Sequence, residues 1–368
     1  MDAEEILYAI ALRKSPSVGD VVFNTLVDAV GSAKEVWHLS KNHLRGISGI
    51  GKTIAEHIGN EKWLRFAEQE LQFCEQHQIK IRLRHLGELP PLLNECYGAP
   101  AILFQKGNYD ETATNISIVG TRNATAYGKA FIKDLMEALK SKNIQIISGL
   151  ALGTDGTAHQ EALSVQLKTS AVLAHGLHTL YPSKHRQLAQ NIIDHGGALF
   201  SEFTTDKKPD REHFLQRNRI VAGLSQATIV VESAYAGGSM STVTFANQYN
   251  REVYALPGKI NDLYSQGCNR VIFQNKAKNI CDIPSLLEDL GLGNQPPRLR
   301  ELFPKPLPEL NEQQKSVYEI IKNKPQTSLD ELAAQLHQNP VKLLPILLDL
   351  EILGVISTHS GRQYSTVL

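Results

Sequence analysis

The chain has 368 residues, of which 42% are hydrophobic and 21% charged, and its 38 basic side chains balance its 38 acidic ones. This composition excludes disordered, collagen-like and disulfide-rich chains, and no run of about 18 apolar residues is present that would span a membrane. The acidic start lacks the basic and apolar segments of a secretory signal. The four cysteines form no CxxC pair, which favours reduced thiols in a cytoplasmic protein. Because the formal net charge is zero, a nucleic-acid partner would need a local basic patch.

Residues 1–85 are predicted to form a small helical domain, because apolar residues recur in it at helical spacing. Within it, Gly49-Ile50-Gly51 stands immediately before a predicted helix. The segment resembles a helix-hairpin-helix, whose backbone amides can contact a DNA phosphate. A plain turn between two helices gives the same pattern, and both interpretations stay open.

Residues 86–290 are predicted to form an α/β domain. After an irregular connector, short apolar runs alternate with helical stretches, and glycines mark the junctions between them. Continuously apolar strands that alternate with helices are typical of a parallel sheet covered on both faces, here a doubly wound Rossmann-like sheet. The predicted strands are 101–104, 116–119, 144–147, 170–174, 198–200, 227–231 and 252–256.

The C-terminal part is predicted to be a winged-helix domain over 310–368, joined by a Pro-rich linker over 291–309. Three helices are followed by two strands that flank Ser360-Gly361-Arg362, which is the order of a winged helix. Ser328 and Glu331 form a predicted capping box at the second helix. Lys342 is alone on the presumed recognition helix, which favours a protein-contact or structural role over reading a DNA groove.

Glycines, hydroxyls and an arginine follow the ends of the predicted strands. In a parallel sheet these ends lie at one edge, where ligands bind. Glycine lets a ligand approach the backbone, and amides at a helix start attract anions. The dinucleotide pattern GxGxxG and the Walker Lys-Ser/Thr pair are both missing, so the expected role is to hold an anion. The candidate residues at these strand ends are Gly120, Thr121, Arg122, Gly149, Gly153, Gly176, Gly238 and Ser239.

Other polar residues near these strand ends have two interpretations each. Asp155 and His159 are either acid/base groups or a helix cap with a hydrogen-bonded histidine, and the second is favoured because no nucleophile elbow is present. His175 and His178 resemble a metal pair, but no carboxylate has useful spacing, and loop histidines are favoured. Glu232 either accepts a hydrogen bond from a ligand or pairs with an arginine of 217–219.

A local basic patch, which a nucleic-acid partner would need in a chain of zero net charge, lies in residues 207–219. This segment holds five Lys or Arg against two acids, with Phe214 among them. Cations next to an aromatic ring provide phosphate contacts and a stacking surface for single strands. A solvated helix face would have the same composition. The candidate residues here are Lys208, Arg211, Phe214, Arg217, Asn218 and Arg219.

In chain order, several of these motifs resemble the DNA-processing protein A (DprA/Smf) family. The matching motifs are Gly120-Thr121-Arg122, Ser148-Gly149-Leu150-Ala151 with Gly153, Asp155 and Ala158-His159, Gly176-Leu177, Tyr181-Pro182, Ser201-Glu202, Phe214 with Arg217-Asn218-Arg219-Ile220 and Ala222-Gly223-Leu224-Ser225, Val230-Val231-Glu232 and Pro257-Gly258.

The resemblance implies a cytosolic bacterial protein that is not an enzyme and needs no cofactor or metal. It would protect incoming single-stranded DNA during natural transformation, load the RecA recombinase, and form a homodimer through its Rossmann-like domain. Arg122, Arg217 and Arg219 would then hold phosphates, Phe214 would stack a base, and the glycine loops would donate amides.

Two competing hypotheses also fit the sequence. The first is a nucleotide or nucleoside phosphoribohydrolase on a similar scaffold, which would use Glu232 or Asp155 beside Gly237-Gly238-Ser239. The second is a scaffold that binds RecA without any affinity for DNA.

Overall fold

A computed structural model describes residues 3–293, 308, 310–324, 327–359 and 363–366 of the chain. The chain divides into two compact units, Met1–Gly293 and Asn294–Leu368. No helix of these described residues is long and apolar enough to span a membrane. The predicted linker lies largely outside the described residues, and the predicted boundary between residues 85 and 86 stays a prediction.

Helices form the N-terminal part of the first unit, as predicted, and they bury a shared core that includes Ile10, Phe23 and Leu44. Ser32, Ser40 and Asn60 begin three of these helices by accepting hydrogen bonds from backbone amides, which satisfies donors that the first turn leaves free. The helices are α1 Ala3–Lys14, α2 Asp20–Val30, α3 Ala33–His38, α4 Lys41–Gly46, α5 Lys52–His57 and α6 Glu61–Gln76.

The prediction that residues 1–85 are entirely helical is wrong at their C-terminal end. Ile79–Leu83 is a strand, β1, that pairs antiparallel with β2, Ile102–Gly107. The alternation of Ile79, Ile81 and Leu83 with Lys80 and Arg82 fits a strand at the edge of a sheet. This strand therefore joins the sheet of the α/β part and continues it beyond β2.

Within residues 3–293, one nine-stranded sheet has the order β1-β2-β6-β5-β4-β3-β7-β8-β9. All neighbours from β6 to β9 are parallel, whereas β1 and β2 are antiparallel additions at one edge. The predicted doubly wound sheet is thus confirmed, with an antiparallel edge. The remaining strands are β3 Thr114–Val119, β4 Ile144–Ser148, β5 Lys168–Val172, β6 Ala198–Ser201, β7 Ala227–Val230, β8 Glu252–Ala255 and β9 Lys278–Asn279.

Helices cover both faces of this sheet, because each central strand buries side chains on both sides. One face packs against α8 Ala126–Leu139, α9 Thr154–Ser164, α10 Arg186–Asp194 and α14 Ile283–Asp289. The other face packs against α7 Pro91–Asn94, α11 Arg211–Gly223, α12 Ser239–Gln248 and α13 Gln266–Phe273. Since β4 and β7 lie on opposite sides of β3, the chain changes direction at the carboxyl end of β3, where parallel sheets bind ligands.

The second unit has its own core, which includes Val317, Leu332, Leu343 and Leu350. Ser328 and Glu331 form the predicted capping box, and the predicted hairpin strands pair, while their turn lies outside the described residues. The elements are α15 Glu312–Asn323, β10 Thr327–Ser328, α16 Leu329–Leu336, α17 Pro340–Ile352, β11 Ile356–His359 and β12 Gln363–Thr366.

Candidate nucleic-acid interface

A cleft of about 960 Å³ opens at the carboxyl ends of β3, β4 and β7. Helix α11 forms one wall, and the loop from Ser233 to Ser239 forms another. Ten of the residues predicted from the sequence line it: Gly120, Thr121, Arg122, Gly149, Arg211, Phe214, Arg217, Asn218, Gly238 and Ser239.

Phe214 is the centre of a group of aromatic and cationic side chains in this cleft. The guanidinium of Arg122 lies 5.3 Å from the centre of the Phe214 ring, and that of Arg217 lies 5.8 Å from it. Tyr181 meets the same ring edge to face, with 5.9 Å between the ring centres. Tyr181 was not among the predicted site residues, because a tyrosine in a loop carries no spacing signal.

The cations at the mouth of the cleft are solvent-exposed. Arg122 and Arg211 are both exposed, and neither forms an ion pair within the part of the chain that the structure describes. Asp210 lies beside Arg211, but its carboxylate accepts a hydrogen bond from the Glu212 amide and so caps α11. The exposed rim therefore offers two guanidinium groups to an anion.

Arg217 is buried, unlike Arg122, and its partners belong to the protein. Its guanidinium donates hydrogen bonds to the carbonyl oxygens of Gly149, at 2.6 Å, and Val172. A Cβ on residue 149 would lie 2.3 Å from this guanidinium, so only glycine leaves it room. The predicted phosphate contact by Arg217 thus competes with two internal hydrogen bonds.

Asp155 is the buried acid near Arg217. Its carboxylate accepts hydrogen bonds from the amides of Gly149 and Ala151, at 3.2 and 3.3 Å. Burial raises the pKa of Asp155, and the nearby Arg217 opposes this rise. Burial in turn lowers the pKa of Arg217 to about 10, against the attraction of Asp155. The Gly149 amide, predicted to donate to a ligand, is therefore engaged by Asp155.

Arg219 lies away from the cleft. The prediction that it contacts a phosphate there is therefore wrong. The side chain is 10% exposed and donates to the carboxylates of Asp20 and Glu202, at 3.0 and 2.5 Å, and to the carbonyl oxygen of Gly98. Residues 217 and 219 are two positions apart on α11, which turns them by about 200° relative to each other. The two arginines therefore cannot both face the cleft.

Three other predicted residues also lie outside the lining of the cleft. Gly153 has a φ of +78°, and a Cβ there would lie 2.4 Å from the Arg122 carbonyl, so this glycine supports the backbone behind Arg122. A Cβ on Gly176 would lie 2.4 Å from the Thr204 carbonyl, which assigns this glycine to packing. Lys208 is exposed on the loop before α11, beside the cleft rather than in it.

Glu232 does not form the ion pair with an arginine of 217–219 that was one of its two interpretations, and its carboxylate is engaged by Thr125. It is 3% exposed, and its two carboxylate oxygens accept hydrogen bonds from the amide and the hydroxyl of Thr125, at 2.8 and 2.6 Å. Thr125 is the N-cap of α8. The hydrolase hypothesis needs Glu232 or Asp155 as a free carboxylate, but both are engaged in hydrogen bonds within the protein.

The helix-cap interpretation predicted a hydrogen bond between His159 and Asp155, but in the structure the partner of His159 is Thr169. Nδ1 of His159 lies 2.6 Å from the Thr169 hydroxyl, and burial lowers the pKa of His159 to about 3. Nε2 of His175 accepts a hydrogen bond from the Tyr181 amide. No group of three or more His, Cys, Asp or Glu suited to a metal ion occurs among the residues that the structure describes.

Hydrogen bonds fix the part of the cleft wall that α11 and the start of α12 form. The Asn218 side-chain amide donates to the Gly238 carbonyl at 3.2 Å and to the Ser241 hydroxyl at 2.8 Å. The Ser239 hydroxyl donates to that of Ser233 at 2.8 Å. Asn218 was predicted as a candidate residue of the basic patch, and its amide N–H groups hold the start of α12 in place. The cleft therefore has a preformed wall, and two exposed arginines and a phenylalanine lie at its mouth.

Two family models match the chain: one described as DNA recombination-mediator protein A over residues 80–291, and one described as DprA winged helix domain over residues 301–362. Protein Smf of Synechocystis sp. is 30% identical, and the match covers 99% of each chain. The DNA processing protein DprA of Bacillus subtilis is 38% identical over 205 residues, which are 55% of this chain and 68% of that one.

Two solved structures resemble the chain. DNA processing protein A of Streptococcus pneumoniae has a TM-score of 0.64 and 28% identity, covering 76% of this chain and 96% of that one. DNA processing protein A of Helicobacter pylori has a TM-score of 0.53 and 29% identity, covering 58% of this chain and 95% of that one. The structure of the Helicobacter pylori protein is described in terms of its single-stranded DNA binding mode.

Proposed function

The chain belongs to the DNA-processing protein A (DprA/Smf) family, and from this we propose that it is a recombination mediator that binds single-stranded DNA in the cleft described above. It holds the strand without breaking bonds, protects it during natural transformation, and loads RecA onto it. We propose further that it acts in the cytoplasm as a homodimer through its Rossmann-like domain.

The observation that carries the proposal is the position of Arg122 and Phe214 at the mouth of the cleft. An aromatic face next to exposed guanidinium groups suits a single strand, whose bases are free to stack and whose phosphates are regularly spaced. Since Arg122 is exposed, it can leave the face of Phe214 to a base and contact a phosphate instead. Arg211, one turn before Phe214 on α11, provides a second phosphate contact on the same side of the helix.

Arg217 has an indirect role in this proposal. Its hydrogen bonds to the carbonyl oxygens of Gly149 and Val172 hold α11 against the ends of β4 and β5. Its guanidinium also lies near the Phe214 ring, so its positive charge favours phosphate without a requirement for direct contact. We therefore assign Arg122 and Arg211 to the strand, and Arg217 to the shape of the cleft.

The test is a comparison of affinities for labelled single-stranded and double-stranded oligonucleotides of one sequence, measured by fluorescence anisotropy at several salt concentrations. We expect tighter binding of the single strand and intact oligonucleotide after long incubation. RecA is then added to single strands covered by single-strand-binding protein, and the chain is expected to accelerate filament assembly. Equal affinity for both oligonucleotides, or cleavage of either, would contradict the proposal.

A further inference from the structure

Helix α17 of the second unit carries an apolar stripe on the side opposite its own core. Leu343, Leu347 and Leu350 are buried in the unit. The opposite side has five exposed apolar residues, and the four non-proline members are 38% to 75% exposed. The α17 stripe, as we call it, consists of Val341, Leu344, Pro345, Leu348 and Ile352.

The spacing of these residues places them on one face of the helix over about three turns. A continuous apolar face of this kind marks an interaction surface. DNA is a poor partner for it, because Lys342 is the one basic residue of α17, against the acids Asp349 and Glu351. A net negative helix repels phosphate, so the chemistry of the stripe suits a protein surface.

The charges beside the stripe are self-complementary. Lys342 and Asp349 are seven residues apart, so they lie on the same flank of α17, about 10.5 Å apart along its axis. Consider two copies of the helix that pack antiparallel, with the two-fold axis passing between residues 345 and 346. Lys342 of each copy then comes level with Asp349 of the other. Such a two-fold contact forms both ion pairs at once.

The apolar residues are compatible with the same centre. At 1.5 Å per residue, Leu348 of one copy lies between Val341 and Leu344 of the other, and Ile352 lies about 3 Å beyond Val341 of the other. Side chains that interleave in this way bury the stripe of each copy on that of its partner. We propose that the α17 stripe is a self-association surface whose occupant is the α17 stripe of a second copy of this chain.

This contact is separate from the DNA cleft and from the dimer contact proposed for the Rossmann-like domain. A chain with both contacts has two self-complementary surfaces, and pairs of chains can then be linked into longer assemblies. Because each new link adds another DNA cleft, an assembly held by α17 would increase the avidity for a long strand but not for a short oligonucleotide.

Cysteine cross-linking of the full chain tests the register. Cys281 is the exposed cysteine, and Cys281→Ser removes it, while Cys74, Cys96 and Cys268 are buried. In that background Pro345→Cys lies at the centre of the pair and should form a disulfide-linked dimer on mild oxidation. Ile352→Cys is the matched control, because the two copies of residue 352 are about 20 Å apart along the axis. The double variant Val341→Cys/Ile352→Cys should cross-link again.

Charge exchange provides the second measurement. Lys342→Glu and Asp349→Lys, each added to Pro345→Cys, should lower the cross-linked fraction several-fold. The combined exchange Lys342→Glu/Asp349→Lys should restore it, which also shows that the variants fold. If position 345 cross-links no better than position 352, or if the combined exchange fails to restore the cross-link, the proposal is wrong, whether the stripe then binds another protein or nothing.

Discussion

Glu202 accepts a hydrogen bond from the guanidinium of Arg219, and the same guanidinium reaches the Asp20 carboxylate of α2 at 3.0 Å. A helix of the N-terminal part is thus joined to the end of β6 by a buried cation between two carboxylates. The second oxygen of Glu202 is buried without a hydrogen-bond partner among the described residues. Burial raises the pKa of Glu202 to about 7, against the opposing effect of Arg219.

The raised pKa of Glu202 predicts a loss of stability as the pH rises. The folded protein holds this proton more tightly than the unfolded chain, so the contribution is complete below the ordinary glutamate pKa and is lost as the pH passes about 7. Relative to Glu202→Gln, the wild-type free energy of unfolding should fall by about 3 kcal/mol between pH 4.5 and pH 8. Urea denaturation of both proteins at a series of pH values measures this difference in unfolding free energy. Glu68→Gln, at an exposed site, is the control, and a difference that does not change with pH would contradict the prediction.

Replacement of Arg217 should destabilise the fold rather than only weaken a ligand contact. Arg217→Met leaves Asp155 buried without its nearby positive charge and leaves two carbonyl oxygens without a donor, which should cost roughly 3–5 kcal/mol. Addition of Asp155→Asn should recover part of this loss. Arg211→Met is the matched control on the same helix, and it should change the unfolding free energy by less than about 0.5 kcal/mol. An Arg217→Met protein as stable as wild type in urea would exclude this structural role.

Charge reversal at the mouth of the cleft should weaken binding through the phosphates. Arg122→Glu and Arg211→Glu should each lower the affinity for single strands at least tenfold at low salt. Each should also reduce the slope of log K against log salt by about 0.7 for every phosphate contact removed. Lys133→Glu, an exposed site on α8 outside the cleft, makes the same charge change and should bind as wild type does. If all three variants lose affinity equally, the effect comes from net charge and not from the cleft.

Phe214 should contribute through stacking. Phe214→Ala is expected to lose about 1–3 kcal/mol of binding free energy, with no change in the salt slope, because no phosphate contact is removed. Phe214→Tyr should retain most of the affinity, since a ring remains in place. Phe273→Ala removes an exposed phenylalanine outside the cleft and serves as the control. Wild-type affinity in Phe214→Ala would show that the ring is not a stacking surface.

Much of the cleft could be predicted from the sequence, because its residues follow the ends of apolar strands. Parallel strands bring such ends to one edge, so Gly120-Thr121-Arg122 and Gly238-Ser239 were expected to lie together. Helical spacing also groups Arg211, Phe214 and Asn218 on one face of α11. The same spacing excludes Arg219 from that face, so residue composition alone overestimated the basic patch.

The features of the site and fold that could not be predicted depend mainly on contacts between segments that are distant in sequence. Glu232 and Thr125 are 107 residues apart, and no local pattern connects them. Tyr181 reaches Phe214 from a separate loop that also lines the cleft. Strand β1 was missed because five residues after a long helix give too short a run to establish a period of two.

The hydrogen bonds between Glu232 and Thr125 have a consequence for ligand choice. In doubly wound proteins the amino end of the helix after a central strand commonly receives the phosphate of a mononucleotide. In this protein a built-in carboxylate already occupies the start of α8, so ATP or another abundant nucleotide meets a negative charge at that place. In the proposed binding mode a long strand would lose little by this, because its phosphates contact the arginines at the rim. We therefore expect the Glu232 carboxylate at the start of α8 to disfavour small nucleotides relative to a long strand.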